Sequence, residues 1–137
     1  MKQPLSPEQA LIYAMITIAA VDRNISDAEL QRIGATVKDL PAFARYDEET
    51  LIEDSQICGA ELSKPNGLEI VLERIREGLP KRLYETAYAL SAEIAATDLE
   101  IKAEEVRFLE LLSDRLGLDK LTCAALERGA RARHQKA

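Results

Sequence analysis

The sequence predicts an all-α protein, a single bundle of about seven helices. Apolar residues recur at intervals of three and four along most of the chain, which is typical of amphipathic helices. Residues that start and stop helices separate these stretches, and no alternating β-branched run or hairpin turn predicts a strand. With 137 residues, 47% of them hydrophobic and 31% charged, the chain can bury a core without disulfides or metal. We therefore expect one domain over residues 1–137.

Two capping boxes mark the starts of the first two helices. Ser6 is followed three residues later by Gln9, and Ser26 is followed three residues later by Glu29. In such a pair the serine side chain and the third residue satisfy each other's backbone N–H groups. The first helix is apolar on nearly every face, as expected of a helix in the middle of a bundle. The second is amphipathic and stops before Pro41.

The remaining helices are delimited by turn and cap residues of the same kind. A Pro-Asn-Gly turn at 65–67 precedes the fourth helix, Gly117 closes the sixth, and Asp119 caps the seventh. We place these five helices at about 47–63, 68–79, 80–97, 103–116, and from 120 to a polar tail at 131–137 that we expect to be frayed.

The chain contains an internal repeat. Residues 18–29 align with residues 94–105 at an offset of 76, and each copy joins a long apolar helix to an acid-rich helix start. Six of the twelve positions are identical: Ile18/Ile94, Ala19/Ala95, Ala20/Ala96, Asp22/Asp98, Ile25/Ile101 and Glu29/Glu105. We predict two helix–acidic turn–helix units related by a pseudo-twofold axis, with Ile25 and Ile101 buried between turn and core.

The aspartates of the repeat are the strongest candidates for a function. Asp22 and Asp98 each end a helix, where the helix dipole disfavours a carboxylate. One interpretation is a turn in which the side chain accepts a backbone N–H two residues on. The other is a cation site formed by two adjacent turns. Such a site offers oxygen ligands alone and would therefore take calcium, magnesium or manganese. Its candidate ligands are Asp22, Asn24, Glu29, Asp98, Glu100 and Glu105.

A standard EF-hand is excluded at both turns. An EF-hand loop needs oxygen ligands two and four residues before the aspartate, and a glycine after it. Alanine and isoleucine occupy the first two places in both copies, and Arg23 and Leu99 occupy the glycine places. The glutamates also have a purely structural interpretation, because Glu29 completes a capping box and Glu105 lies in the first turn of a helix.

The doubled motif resembles the signature of the tellurite-resistance protein TerB family. Leu79-Pro80 before the fifth helix and Arg107-Phe108-Leu109 in the sixth add to the likeness, which covers nearly the whole chain. The family's turn glycines are replaced here by Arg23 and Leu99. The resemblance implies a seven-helix bundle and a bacterial, cytoplasmic protein of tellurite and chemical-stress resistance. It further implies action in membrane-associated complexes and metal-linked responses, without an established enzymatic activity.

Several other chemistries lack support in the sequence. A net charge of −6 argues against nucleic-acid binding, which depends on Lys and Arg contacts to phosphates. Cys58 and Cys123 form no CxxC pair and are expected to be small core residues, consistent with a reducing cytoplasm. The single histidine, His134, lies in the polar tail and offers neither cysteine a convincing partner. We expect no cleaved signal peptide at the N-terminus.

Three hypotheses of function follow. The leading one is a non-enzymatic, TerB-like stress protein that binds a divalent cation or a protein partner through its acidic turns. The second is a metal-dependent enzyme that uses the acidic cluster, and the third is a purely structural helical adaptor. Glu93 either belongs to the acidic site or points to solvent. The basic tail either is a solvated helix end or contacts anionic lipid or an acidic partner. The sequence is also compatible with a homodimer.

Overall fold

The computed structural model describes residues 3–21, 25–97 and 101–137. Those ranges contain seven α-helices and no strand, which confirms the predicted all-α bundle. The helices are α1 (Pro7–Ala20), α2 (Asp27–Asp39), α3 (Leu51–Leu62), α4 (Gly67–Gly78), α5 (Tyr84–Ala96), α6 (Ala103–Leu116) and α7 (Lys120–Arg133). None of the helices in these ranges is long and apolar enough to cross a membrane.

The predicted helix caps are confirmed. The Ser6 hydroxyl accepts a hydrogen bond from the backbone N–H of Gln9 at 3.1 Å, and the Gln9 side chain accepts the Ser6 N–H at 3.0 Å. Asp119 accepts the N–H of Thr122 at 2.8 Å at the start of α7. Gly117 ends α6 with a φ of 69°, the left-handed conformation that glycine adopts without a steric penalty.

Two predicted helices begin differently from expectation. The helix placed from Asp47 starts as a 3-10 turn at Glu48–Thr50, which Asp47 caps by accepting the N–H of Glu49 at 3.0 Å. The helix placed from Pro80 likewise starts as a 3-10 turn at Lys81–Leu83. Such tighter turns are common at helix starts, and periodicity alone does not distinguish them from α-helix.

The core is built around α1 and α5. Every residue of α1 from Ala10 to Ala19 is buried, as predicted for a helix apolar on all faces. It packs against α3, α4 and α5, while α5 packs in addition against α6 and α7. The two helices that precede the acidic turns are thus the two central helices of the bundle.

Polar side chains also join α1 to its neighbours. The buried carboxylate of Asp54 accepts hydrogen bonds from the Tyr46 hydroxyl at 2.6 Å and from the Gln9 amide at 3.2 Å. Arg74 pairs with the buried Glu61 at 2.5 Å and lies 5.7 Å from the centre of a neighbouring tyrosine ring on α1. Each of these buried charges therefore has a partner, as stability requires.

Candidate cation and partner site

The six candidate cation ligands divide into two groups. Asp22, Asn24, Asp98 and Glu100 lie outside the described residues, as do Arg23 and Leu99 at the glycine positions of the motif. Glu29 and Glu105 are described, and each lies in the first turn of the helix that follows an acidic turn.

Both described glutamates hold the start of their helix. Oε1 of Glu29 accepts the backbone N–H of Ser26 at 3.1 Å and the Ser26 hydroxyl at 2.9 Å. Oε1 of Glu105 accepts the backbone N–H of Lys102 at 3.0 Å. Glu105 is the more deeply buried of the two, with 5% of its surface exposed. Residues 76 positions apart thus make the same contact, and their carboxylates cap helices α2 and α6.

A direct contact joins the two halves of the repeat. Nη1 of Arg32 on α2 donates a hydrogen bond to Oγ1 of Thr97, the residue that follows α5, at 3.0 Å. Val21, which follows α1, and Phe108 on α6 line one groove. Thr97 lies 76 positions after Val21, and Phe108 lies 76 positions after Arg32. The helix that follows each acidic turn therefore lies close to the end of the helix that precedes the other turn.

We call the groove that holds Val21 and Phe108 the turn groove. Its volume is about 470 Å³, and it lies between the ends of α1 and α3 and the starts of α4 and α6. Its walls are mostly apolar, with two charged residues from α6. The lining residues are Ala20, Val21, Leu62, Leu68, Ala103, Glu104, Arg107 and Phe108.

A second cavity of about 330 Å³, the C-terminal cleft, lies between α2, α5 and the end of α7. Its lining residues are Arg32, Ala35, Thr36, Asp39, Leu40, Leu90, Glu93, Ile94, Thr97, Arg133 and His134. Glu93 pairs there with Arg133 at 2.8 Å and with Nε2 of His134 at 3.0 Å. Its side chain is 18% exposed. Glu93 is therefore held by the end of α7, and residues 131–133, expected in the tail, are helical.

One predicted burial is wrong. Ile25 is half-buried and packs against the core, but Ile101 at the equivalent position is 40% exposed. Ile101 lies before α6 beside a shallow cavity formed with α5 and α7. The two units thus share their capping contacts while differing in how deeply the isoleucine is covered.

The comparison with known protein families decides the identity of the domain. The sequence model of the tellurite resistance protein TerB family matches residues 8–128, a range that contains both copies of the acidic motif. The chain belongs to the TerB family. No curated protein and no solved structure matches it.

The cysteines of this TerB-family chain are core residues, as predicted. Cys58 is fully buried, and burial raises the pKa of its thiol to about 12. Its sulfur lies 3.8 Å from the Thr17 hydroxyl. Burial also raises the pKa of Cys123. A thiol must ionise to act as a nucleophile or metal ligand, so both are poor candidates for either role.

The described part of the TerB chain contains no group of three or more His, Cys, Asp or Glu residues arranged to hold a metal ion. Four of the six candidate ligands, Asp22, Asn24, Asp98 and Glu100, lie outside that part of the chain. The aligned repeat ends three residues before Arg32 and Phe108, so it did not indicate either as a contact residue. Extending the alignment of the two copies by three residues would have revealed them as equivalent positions.

Proposed function

We propose that this TerB-family chain serves cytoplasmic resistance to tellurite and related chemical stress as a non-catalytic binding protein. Its ligand is a divalent cation or a protein partner, bound through the two acidic turns at residues 22–24 and 98–100. The observation that supports this is the crossed arrangement of the two units. Arg32 reaches Thr97 beside the second turn, and Val21 beside the first turn shares a groove with the start of α6.

The proposed cation ligands are the carboxylate and amide oxygens of Asp22, Asn24, Asp98 and Glu100. Oxygen donors suit calcium, magnesium or manganese, all of which are hard cations. Glu29 and Glu105, the other two candidates, act in this proposal by holding the helix that follows each turn. Their hydrogen bonds to Ser26 and Lys102 support that positioning role.

A binding role is favoured over catalysis by the state of the reactive side chains. Cys58 is buried and its pKa is raised, which opposes formation of a thiolate. His134 contacts Glu93 on α5 at 3.0 Å, and neither described cysteine is among the residues that line its cavity. Among the described residues, both cysteine thiols have raised pKa values, which opposes a thiol nucleophile.

The test of the cation is a set of thermal unfolding curves. Chelator-treated protein is titrated with calcium, magnesium and manganese, beside the double variant Asp22→Asn/Asp98→Asn and the control Asp114→Asn, an exposed residue on α6. Binding to the native state adds about 2.7 kcal/mol at a ligand concentration 100 times Kd. We expect a saturable rise in Tm in the wild type and in the control, and its loss in the double variant.

The alternative results separate the proposed ligands. A rise that persists in the double variant contradicts a site in the paired turns. If the cations raise Tm in none of the three proteins, a cation is excluded as the ligand and the protein partner is favoured. A chemical reaction catalysed by the metal-loaded protein, and lost with the two aspartates, would favour the metal-dependent enzyme instead.

A further inference from the structure

We propose that the outer face of α7 is a docking surface for an anionic lipid bilayer. The basic side chains of this helix bind the lipid headgroups, and an apolar side chain near its start enters the interface between headgroups and acyl chains. The surface is separate from the two acidic turns and adds a second binding activity to the one proposed above.

Charge is distributed unevenly along the chain. Residues 120–137 contain five Lys or Arg residues and one acid, whereas the whole chain contains 18 Lys or Arg residues and 24 acids. The last helix and its tail are therefore positively charged, while the rest of the chain is strongly negative. A basic amphipathic helix of this kind is typical of a segment that contacts a membrane surface.

The helix exposes its basic residues on the side that faces away from the bundle. Cys123 and Ala130 are buried, and Leu126 packs against the core, so these three residues form the inner side of α7. The exposed residues on the other side follow one another at helical spacing and include no acid. They are Lys120, Leu121, Ala124, Ala125, Arg128, Arg131 and Ala132.

The acids near α7 offset only part of its charge. Asp119 precedes the helix and caps its first turn. Glu93 of α5 pairs with Arg133 at 2.8 Å. Glu127 is half-buried and lines a shallow cavity with Arg131, so we count that charge as balanced too. Within the described part of the chain, the other three Lys and Arg residues of the segment form no ion pair.

The contact with Glu93 also holds the end of the helix in place. Arg133 and His134 both pair with that carboxylate, and α7 remains helical to Arg133. Arg131 is therefore displayed on an ordered helix, on the same side as Lys120, about 16 Å away at 1.5 Å per residue. A surface that is ordered before it binds loses less conformational entropy on binding.

An exposed apolar residue favours a bilayer as the occupant. Leu121 is 82% exposed, more than any other large apolar residue in the described ranges. It lies on the outer side of α7 with Arg128, two turns further along the helix. A helix that lies in a membrane interface buries such apolar side chains at the headgroup boundary while its Lys and Arg residues attract anionic lipid.

The negative charge of the rest of the chain does not cancel this attraction. With its side chains, a helix is about 10–12 Å across. The Debye length at physiological ionic strength is about 8 Å. Acids on the far side of the bundle are therefore largely screened from a bilayer that touches the outer face of α7.

Sedimentation with lipid vesicles tests the proposal on the full chain. The vesicles contain either phosphatidylcholine alone or equal parts of phosphatidylcholine and phosphatidylserine. A chelator in the buffer prevents divalent cations from bridging acids to headgroups. We expect binding to the mixed vesicles alone, and weaker binding as the salt concentration is raised.

Variants of α7 assign the binding to its outer face. Arg128→Gln/Arg131→Gln should lower the affinity about tenfold or more, since each Lys or Arg near an anionic surface contributes about fivefold. Leu121→Gln should lower it severalfold. Arg45→Gln/Lys64→Gln is the matched control, because it removes the same charge from exposed positions outside α7. Its affinity should stay within about twofold of wild type, since distant surface charges are screened.

Several results would overturn the proposal. A chain that does not sediment with the mixed vesicles, equal binding to phosphatidylcholine alone, or an equal loss of affinity in the control variant would each do so. Binding to polyglutamate without binding to vesicles would assign the face to an acidic protein instead. Arg128→Lys/Arg131→Lys keeps the charge and should bind as the wild type does. Thermal unfolding of each variant distinguishes loss of the surface from loss of the fold.

Discussion

Arg32 donates a hydrogen bond to Thr97 across the two halves of the repeat, at 3.0 Å. The Thr97 hydroxyl in turn donates to the carbonyl of Ile94 at 2.7 Å, so the bond anchors Arg32 to the last turn of α5. Arg32 follows the first acidic turn, and Thr97 immediately precedes the second. The contact therefore links the helix that follows the first turn to the residue that precedes the second.

Removing the Glu105 carboxylate should destabilise the fold more than removing that of Glu29. Both cap a helix, but the Glu105 side chain is buried, so Glu105→Ala removes a buried side chain as well as the acceptor of the Lys102 N–H. We expect a loss of about 1–3 kcal/mol for Glu105→Ala and about 1 kcal/mol for Glu29→Ala. Urea denaturation measures both.

The exposed Glu110→Ala serves as the control for these capping variants. Glu105→Gln retains an oxygen acceptor and should recover much of the stability. If Glu105→Ala were as stable as Glu110→Ala, the capping role assigned to the second glutamate would be wrong. A loss of the cation response in Glu105→Gln at normal stability would instead make Glu105 a ligand.

The end of α7 should contribute measurably to stability. A chain that stops after Ala130 leaves the mostly buried carboxylate of Glu93 without Arg133 and His134. We expect a loss of about 1–3 kcal/mol, since a charged group that loses its partner keeps its cost of burial. A chain that stops after His134 should unfold at the wild-type temperature. Equal melting temperatures for the two truncations would show that this contact adds nothing.

Local signals in the sequence predicted most of the fold. Ser6, Ser26, Asp119 and Gly117 act as caps because capping depends on residues within one helical turn of each other. The burial of α1 followed from its composition, since a helix apolar on every face is stable only when other elements surround it. The fold was therefore predictable wherever a contact joins neighbours along the chain.

The contacts that shape the candidate site join residues far apart in sequence. Arg32 and Thr97 are 65 positions apart, and Glu93 lies 41 positions before His134. No periodicity specifies such a pair, because each side chain alone resembles an ordinary exposed charge or hydroxyl. The sequence therefore left the position of Glu93 undecided between the acidic site and solvent. The predicted burial of Ile101 was wrong for the same reason.

Neither cysteine should react with a thiol reagent while the chain is folded. Burial raises the pKa of Cys58 to about 12, so its thiolate is scarce at pH 8 and its sulfur is covered. Cys123 is also buried, with a raised pKa. Titration with a chromogenic disulfide should be slow in native buffer and should give two thiols in guanidinium. Rapid native modification of either residue would reopen thiol chemistry as a function.

Stability should fall at alkaline pH because three tyrosines ionise less readily when folded. Burial raises the pKa of Tyr13 from 10.0 to about 12. Burial also raises the pKa of Tyr46, aided by its bond to Asp54, and that of Tyr88. A pKa raised by folding leaves stability intact below pH 10 and reduces it as the pH climbs from 10 towards 12.

Absorbance at the tyrosinate band and circular dichroism should therefore change together in that alkaline range. Tyr46→Phe removes one of the three groups and should make the loss of stability with pH less steep, although its starting stability is lower because Asp54 loses a donor. Ionisation of all the tyrosines near pH 10 with the helices intact would contradict the burial of these rings.

Two glycines should respond in opposite ways to alanine. Gly67 begins α4 against the end of α3, where an added Cβ would collide with the backbone carbonyl oxygens of Glu61 and Leu62. Gly129 lies inside α7 with no atom within 4 Å of such a Cβ. Gly129→Ala should therefore stabilise the chain by up to about 1 kcal/mol, the difference in helix propensity.

Gly67→Ala should instead destabilise the chain, because α4 has to move away from α3 and carries Leu68 of the turn groove with it. Thermal unfolding of both variants measures the two effects. A Gly67→Ala variant with wild-type stability would mean that α3 and α4 lie farther apart than the structure places them.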